Sequence, residues 1–212
     1  MQKRKRANQP DPHYPVWTEF NKHYVCIPRA IGIHIFRDMV GLPCAMKVSP
    51  GDPIPPERKT FSGMLREYQT KTIRHILAYY HEKPGSSRGA LLQASCGTGK
   101  TVMAINLVCT LGIKTAVVVH KDFLLQQWYD RFKQLAPLAK IGLVQRDRVE
   151  VDGKDVVVFM MHSVVQDKYP RSLFHSFGLV IFDETHHLSA KTFMKSAGYF
   201  SAKYRLGLTA TP

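Results

Sequence analysis

An α/β fold, with a largely parallel sheet covered by helices on both faces, is predicted by three observations. From residue 62 onward, strand-like and helix-like segments alternate. Strand-like segments such as Thr115–Val119 and Leu179–Phe182 are continuous rather than alternating apolar runs, the mark of strands buried on both sides. Between the first strand of this region and the helix after it lies the glycine-rich stretch Ala94-Ser-Cys-Gly-Thr-Gly-Lys-Thr101. A strand–loop–helix unit places such a turn in this position.

The elements follow in order. Apolar residues at 65, 68, 73, 76, 77 and 80 predict a helix over Leu65–Tyr80, ended by Pro84-Gly85. Gly89–Ala94 reads as a short strand and Thr101–Leu111 as a helix with Gly112 as its cap. After the strand Thr115–Val119, Asp122 is placed to cap a helix running to about Ala136, before Pro137. Further strands are predicted at Val156–Met160, Leu179–Phe182 and Arg205–Leu208, with helical segments between them. Nine of the 13 prolines fall within residues 1–60, marking loops at about 7–15 and 49–60. Between those loops, Tyr24–Ile27 and Ile31–Phe36 read as short strands. The expected organisation is a small accessory segment with a linker over 1–60 and an α/β domain over 61–212. No internal repeat is evident.

Composition narrows the function classes. The 44% apolar and 22% charged content is that of a globular chain, which excludes collagenous, mucin-like and wholly disordered classes. No apolar run is long enough to span a bilayer, and no signal peptide follows Met1. The four cysteines, Cys26, Cys44, Cys96 and Cys109, form no C-x-x-C pair, so a reduced, intracellular setting is expected. Thirty Lys and Arg against 16 Asp and Glu leave a net charge of +14, and the excess is +5 over residues 1–60 and +9 beyond. A basic body without a basic amphipathic helix favours nucleic acid over membrane as partner.

Two motifs carry chemistry. In Ala94–Thr101, Ser95, Cys96, Gly97, Thr98 and Gly99 form a turn whose backbone N–H groups can point at a phosphate chain, helped by the positive end of the next helix. Lys100 is placed to reach the β- and γ-phosphates, and the Thr101 hydroxyl to ligate Mg²⁺. Ala94 stands where the full G-x-x-x-x-G-K-T pattern has its first glycine. The second motif is Asp183-Glu184, directly after an apolar strand whose carboxyl end should face the ligand crevice. Asp183 suits Mg²⁺ binding, and Glu184 suits orienting or deprotonating the attacking water. His186-His187 does not read as zinc, because the helical two-histidine site needs i, i+4 spacing.

Together these residues resemble the first motor domain of superfamily 2 helicases and translocases. Ala94–Thr101 resembles motif I, Asp183-Glu-Thr-His186 the D-E-x-H motif II, Thr209-Ala-Thr211 motif III, and Val117–Trp128 motif Ia. Leu65-Arg-Glu-Tyr-Gln69 resembles the upstream adenine-reading motif. The texture of 178–187 and 204–212 is most similar to the XPB-like group, which includes helicases of poxviruses, asfarviruses and other large DNA viruses. The resemblance covers roughly residues 60–212.

It implies a three-layer, RecA-like fold, ATP and Mg²⁺ as cofactors, and DNA ahead of RNA as partner. It further implies Gln69 as the adenine reader and His186, Thr209 and Thr211 as residues that relay the nucleotide state to the nucleic acid. Motifs IV to VI, with their charge-stabilising arginines, belong to a second RecA-like domain that the resemblance places after motif III. Residues 1–212 by themselves are therefore expected to bind nucleotide and turn it over slowly. A nucleotide-gated docking module, and a translocase that does not separate strands, are the alternative readings.

Weaker signals remain. His120 and Lys121, after the motif Ia strand, read either as phosphate contacts to a tracked strand or as an ordinary solvated loop. Lys3–Arg6 reads as a solvated terminus, with an import or nucleic-acid-binding tip as the alternative. Trp128 and Phe132, at i and i+4, read as core, and Cys96 as a tolerated small residue in the loop.

Overall fold

The computed structural model describes residues 18–21, 24–26, 48–82, 88–166, 168–184 and 190–210, and the chain divides into two units, 1–46 and 47–212. In the first unit, β1 (Thr18–Asn21) and β2 (Tyr24–Cys26) pair antiparallel. The strand expected over Ile31–Phe36 and the proline-rich loop at 7–15 lie outside the described residues.

In the second unit the elements are α1 (Glu67–His81), β3 (Arg88–Gln93), α2 (Lys100–Leu111), β4 (Thr115–Val119) and α3 (Asp122–Leu135). They are followed by β5 (Ile141–Gln145), β6 (Arg148–Val149), β7 (Val156–Met160), α4 (Met161–Val165), β8 (Leu179–Phe182), α5 (Ala190–Tyr199) and β9 (Tyr204–Thr209). The strands form one sheet in the order β3-β9-β8-β4-β7-β5-β6. Every pairing is parallel except that of the two-residue β6 with β5.

Continuous apolar strands bury both faces. In β4, Val117 and Val119 join one core cluster with Ile105, Leu107, Trp128 and Phe132 of α2 and α3. The alternate residues Ala116 and Val118 join a second cluster, built on Phe159, Phe174, Phe177, Phe182 and Phe200. Successive side chains of one strand point to opposite faces, so a strand covered twice must be apolar throughout. The second face is an aromatic layer: Phe159 stands 5.8, 5.5 and 5.6 Å from Phe174, Phe177 and Phe200, the last two edge-on.

Three features depart from expectation. No strand is predicted over 141–149, yet β5 and β6 lie there as a tight hairpin. Gly142 within a five-residue run and the charged turn after it erase the periodic signal. Asp122 is the first residue of α3 and does not cap it; Lys121 holds the extended capping backbone, with no side-chain bond. Asp122 instead accepts a hydrogen bond from Gln145 of β5.

The third departure is the expected linker at 49–60. From Ser49 to Ile54 the chain is packed beneath the amino ends of β9, β8 and β4. Ser49 N–H donates to the Ser201 carbonyl at 2.8 Å, Asp52 N–H to Ser176 at 3.0 Å and Ile54 N–H to Gly112 at 2.8 Å, and Ile54 is buried. Prolines stop helices but also extend a strap at low entropic cost. Glycines let this strap cross closely: a Cβ on Gly178 would sit 2.1 Å from the Pro50 carbonyl oxygen, and Gly51 has φ +84°.

Candidate functional site

The phosphate loop occupies the carboxyl end of β3. Positive φ within it is confined to Gly97 (78°) and Gly99 (84°), the latter leading directly into α2. Ala94 needs no such conformation. Its N–H donates to the Thr209 carbonyl at 3.0 Å and its carbonyl accepts from Lys100 Nζ at 2.8 Å. An alanine therefore serves where the motif has its first glycine. Ser95, Cys96 and Gly97 are exposed, so the loop's outer rim is open to a ligand. Thr101 follows Lys100 in the first turn of α2.

Gln69 is 5% exposed and bridges helix and loop. Its Oε1 accepts from Arg66 N–H at 2.9 Å, closing the start of α1, and its Nε2 donates to the Thr98 carbonyl at 2.9 Å. The exposed Tyr68 hydroxyl donates to the same carbonyl at 2.8 Å. Sequence pattern points to Gln69 but not to this second tie from Tyr68, because Tyr68 reads as one more apolar position of the helical repeat.

Because β9 separates β3 from β8, the loop and the acidic pair stand on the same edge of the sheet, one strand apart. Asp183 is 7% exposed. Its N–H donates to the Val118 carbonyl, seating it between β8 and β4, and its Oδ1 accepts from Glu184 N–H at 3.0 Å. Its Oδ2 accepts from the Trp128 indole at 2.7 Å. Burial pushes the carboxyl above the ordinary carboxylate range and the Glu184 charge adds to this, while the Trp128 N–H, the Glu184 N–H and the Lys100 charge oppose it.

Glu184 has φ +53°, a left-handed conformation that costs a non-glycine residue about 1–2 kcal/mol. Strain of this kind concentrates at functional sites. Thr209 is buried at the end of β9, in register with Gln93 just before the loop. His186 and Thr211 lie outside the described residues.

Along the same edge, the carboxyl ends of β4, β5 and β7 enclose a groove of about 840 Å³. His120, Lys121, Phe123, Arg146 and His162 are among its lining residues, and Phe123 is 63% exposed. Arg146, with φ +53°, turns the β5–β6 hairpin. Its N–H donates to the buried Ser163 hydroxyl at 3.0 Å and its carbonyl accepts from the Tyr169 hydroxyl at 2.6 Å. The sequence singles out His120 and Lys121, which line this groove, but gives no sign of Arg146 and His162, which line it too and of which Arg146 stands in the unpredicted hairpin.

The residues suit a nucleotide with Mg²⁺. The loop offers backbone donors and one ammonium, and Thr101 and Asp183 are the residues that could hold the ion through oxygen. Among the described residues no three His, Cys, Asp or Glu side chains gather as a metal cage. A hydroxyl and one carboxylate, completed by water and phosphate oxygens, is how Mg²⁺ is ordinarily held.

Comparison with known proteins agrees with this arrangement. The family described as type III restriction enzyme, res subunit, matches residues 62–212. A protein of Acanthamoeba polyphaga mimivirus, named for an inferred ATP-dependent RNA helicase activity, is 34% identical over 93% of this chain and 36% of its own length. A DNA 3'-5' translocase of Sulfurisphaera tokodaii is 31% identical over 70% of this chain and 31% of its own. The chain thus spans about a third of these relatives' length. The SWI2/SNF2 ATPase core of Sulfolobus solfataricus, solved in complex with double-stranded DNA, superposes with a TM-score of 0.60 at 20% identity, over 77% of this chain and 34% of that one. That likeness shows a RecA-like α/β ATPase fold. With a family match over residues 62–212, the chain belongs to the family described as type III restriction enzyme, res subunit.

Proposed function

We propose that the chain is the ATP-binding half of an ATP-dependent motor that moves along DNA. The observation that carries this reading is the shared sheet edge, which sets the phosphate loop, the Asp183-Glu184 pair and a basic groove side by side. Lys100 and the loop N–H groups bind the phosphates, while Thr101 and Asp183 hold Mg²⁺. That ion would supply charge neutralisation at the β- and γ-phosphates. Glu184 orients the attacking water. Gln69 accepts from Arg66 N–H and donates to the Thr98 carbonyl, with a longer contact of 3.5 Å from the same nitrogen to the Tyr68 hydroxyl, and giving up that long contact lets its carboxamide donate and accept at adenine.

In this reading Lys121 contacts the nucleic-acid backbone while His120, both of whose ring nitrogens are buried, shapes the groove beside it, and Thr209, with His186 and Thr211, transmits the nucleotide state to it. A second RecA-like domain supplies the arginines that stabilise the developing charge. DNA is favoured over RNA by the name of the Sulfurisphaera translocase and by the duplex in the Sulfolobus complex, against the mimivirus relative, which is named for RNA.

The test is calorimetric titration of ATP–Mg²⁺ into the chain and its Lys100→Ala variant, followed by phosphate release with and without DNA in the chain and Glu184→Gln. ATP binding that is lost in Lys100→Ala supports the proposal. Equal ATP affinity in the two proteins overturns it.

A further inference from the structure

Trp128 sits in the middle of α3, 1% exposed, with its ring 5.8 Å from Phe132. Its spacing on an amphipathic helix explains why it is apolar. It does not explain why the residue carries an N–H. A phenylalanine would fill the same core, yet Nε1 of this indole donates to Asp183 Oδ2 at 2.7 Å, in a wholly buried contact between residues 55 apart in sequence.

Among the described residues, the other carboxylate oxygen, Oδ1, accepts from the adjacent Glu184 N–H alone, at 3.0 Å. A single donor on the adjacent residue restrains one oxygen of the carboxylate and sets nothing at the other. The indole adds a second donor, on a different element, and so fixes the plane. Ligand carboxylates depend on outer partners of this kind, and charge-assisted bonds in buried sites are the strong ones.

We propose that Trp128 is the positioning residue for Asp183, holding its carboxylate in the orientation that receives Mg²⁺. This rests on the nucleotide reading above. The contact also has a direction in the fold. The first turn of α3 carries Asp122 and Phe123 at the groove, with Lys121 just before it, and the middle of the same helix grips the acid at the end of β8. A shift of α3 on nucleic-acid binding would move the donor that orients Asp183.

The experiment replaces Trp128 by benzothienylalanine, in which sulfur stands in place of the N–H and the shape is retained, with Trp128→Phe as a second variant. ATP binding is titrated against Mg²⁺ and, in parallel, in EDTA. The Mg²⁺ concentration for half-maximal binding should rise about tenfold, as expected for a lost hydrogen bond to a charged group. Both variants should melt lower, as the loss of a buried bond requires, while metal-free ATP affinity of the folded protein stays as it is; a residue that merely packs would leave the Mg²⁺ requirement alone. In nucleotide-free protein, the indole N–H proton resonance of Trp128 should move in Asp183→Ala. An unchanged Mg²⁺ requirement in the benzothienylalanine protein, or an indole resonance indifferent to Asp183→Ala, overturns the proposal. Lys100→Ala separates the two readings: ATP affinity unaffected by that change sinks the nucleotide site itself, whatever the indole resonance does.

Discussion

The two ends of the sheet handle the same chemical problem, how to turn the chain tightly, in opposite ways. At the carboxyl end Gly97 has φ +78° and nothing within 4 Å of where a Cβ would stand; at the amino end Gly51 has φ +84° and a Cβ there would lie 2.5 Å from the Gly178 nitrogen. One glycine bends backbone around an open space and the other lets two segments of backbone touch. The same contrast holds for charge. Lys100 satisfies itself on the loop's own carbonyls at 2.8 and 3.4 Å, contacts that a phosphate can replace. Arg58 is paired at 3.2 Å with the nearly buried Asp155, whose other oxygen accepts from Lys140 N–H at 2.8 Å. Packing density therefore separates a binding end from a stability end within one sheet.

Substitutions that affect only one end test that division. Gly178→Ala should act most strongly, because its Cβ meets the Pro50 carbonyl oxygen at 2.1 Å and backbone must shift. A loss of about 3 kcal/mol in denaturant unfolding is expected, with ATP affinity of the folded fraction unchanged. Unaltered unfolding would mean that the strap is not held against β8. Lys100→Ala is the mirror case: ATP binding should weaken by about a hundredfold, from the loss of a charge-assisted contact, while the melt stays put. A large fall in stability there would erase the contrast.

Smaller effects sharpen it. Arg58→Ala leaves Asp155 without its ionic partner and should cost about 2 kcal/mol of stability, again with no change in ATP affinity. Gln69→Ala straddles the comparison, since this side chain ties α1 to the loop and is the candidate adenine reader. It should reduce the preference for ATP over GTP by about tenfold in competition binding, the scale of one hydrogen bond. A wild-type chain that binds the two nucleotides alike would remove Gln69 from the recognition site.

Much of the fold is legible in the residues. Thr115–Val119, Val156–Met160 and Leu179–Phe182 coincide with β4, β7 and β8, because a strand buried on both faces writes an unbroken apolar run. Gly112 ends α2 as expected, its N–H donating to the Val108 carbonyl at 2.9 Å. The phosphate loop and the acidic pair are equally plain, since each is a few consecutive residues with restricted choices. β5 and β6 escape because five and two residues, interrupted by Gly142 and followed by charge, carry too little periodicity. The strap at 48–55 escapes because prolines signal only the absence of helix, and nothing local says whether the extended chain will find a surface.

The amino-acid sequence by itself determined the loop and the acids, which depend on a few consecutive residues, and the class of fold and the basic character, which are sums of such local signals along the chain. The tertiary structure decided the rest. It inserted β9 between β3 and β8, so that Thr209 stands beside the loop and the acids one strand beyond it. It also brought Trp128 to Asp183 across 55 residues, drew Gly51 against Gly178, and built the groove from the ends of three strands. Strand order and register follow from how well distant faces pack and satisfy each other's polar groups, and that energy belongs to pairs of segments, which no single segment records.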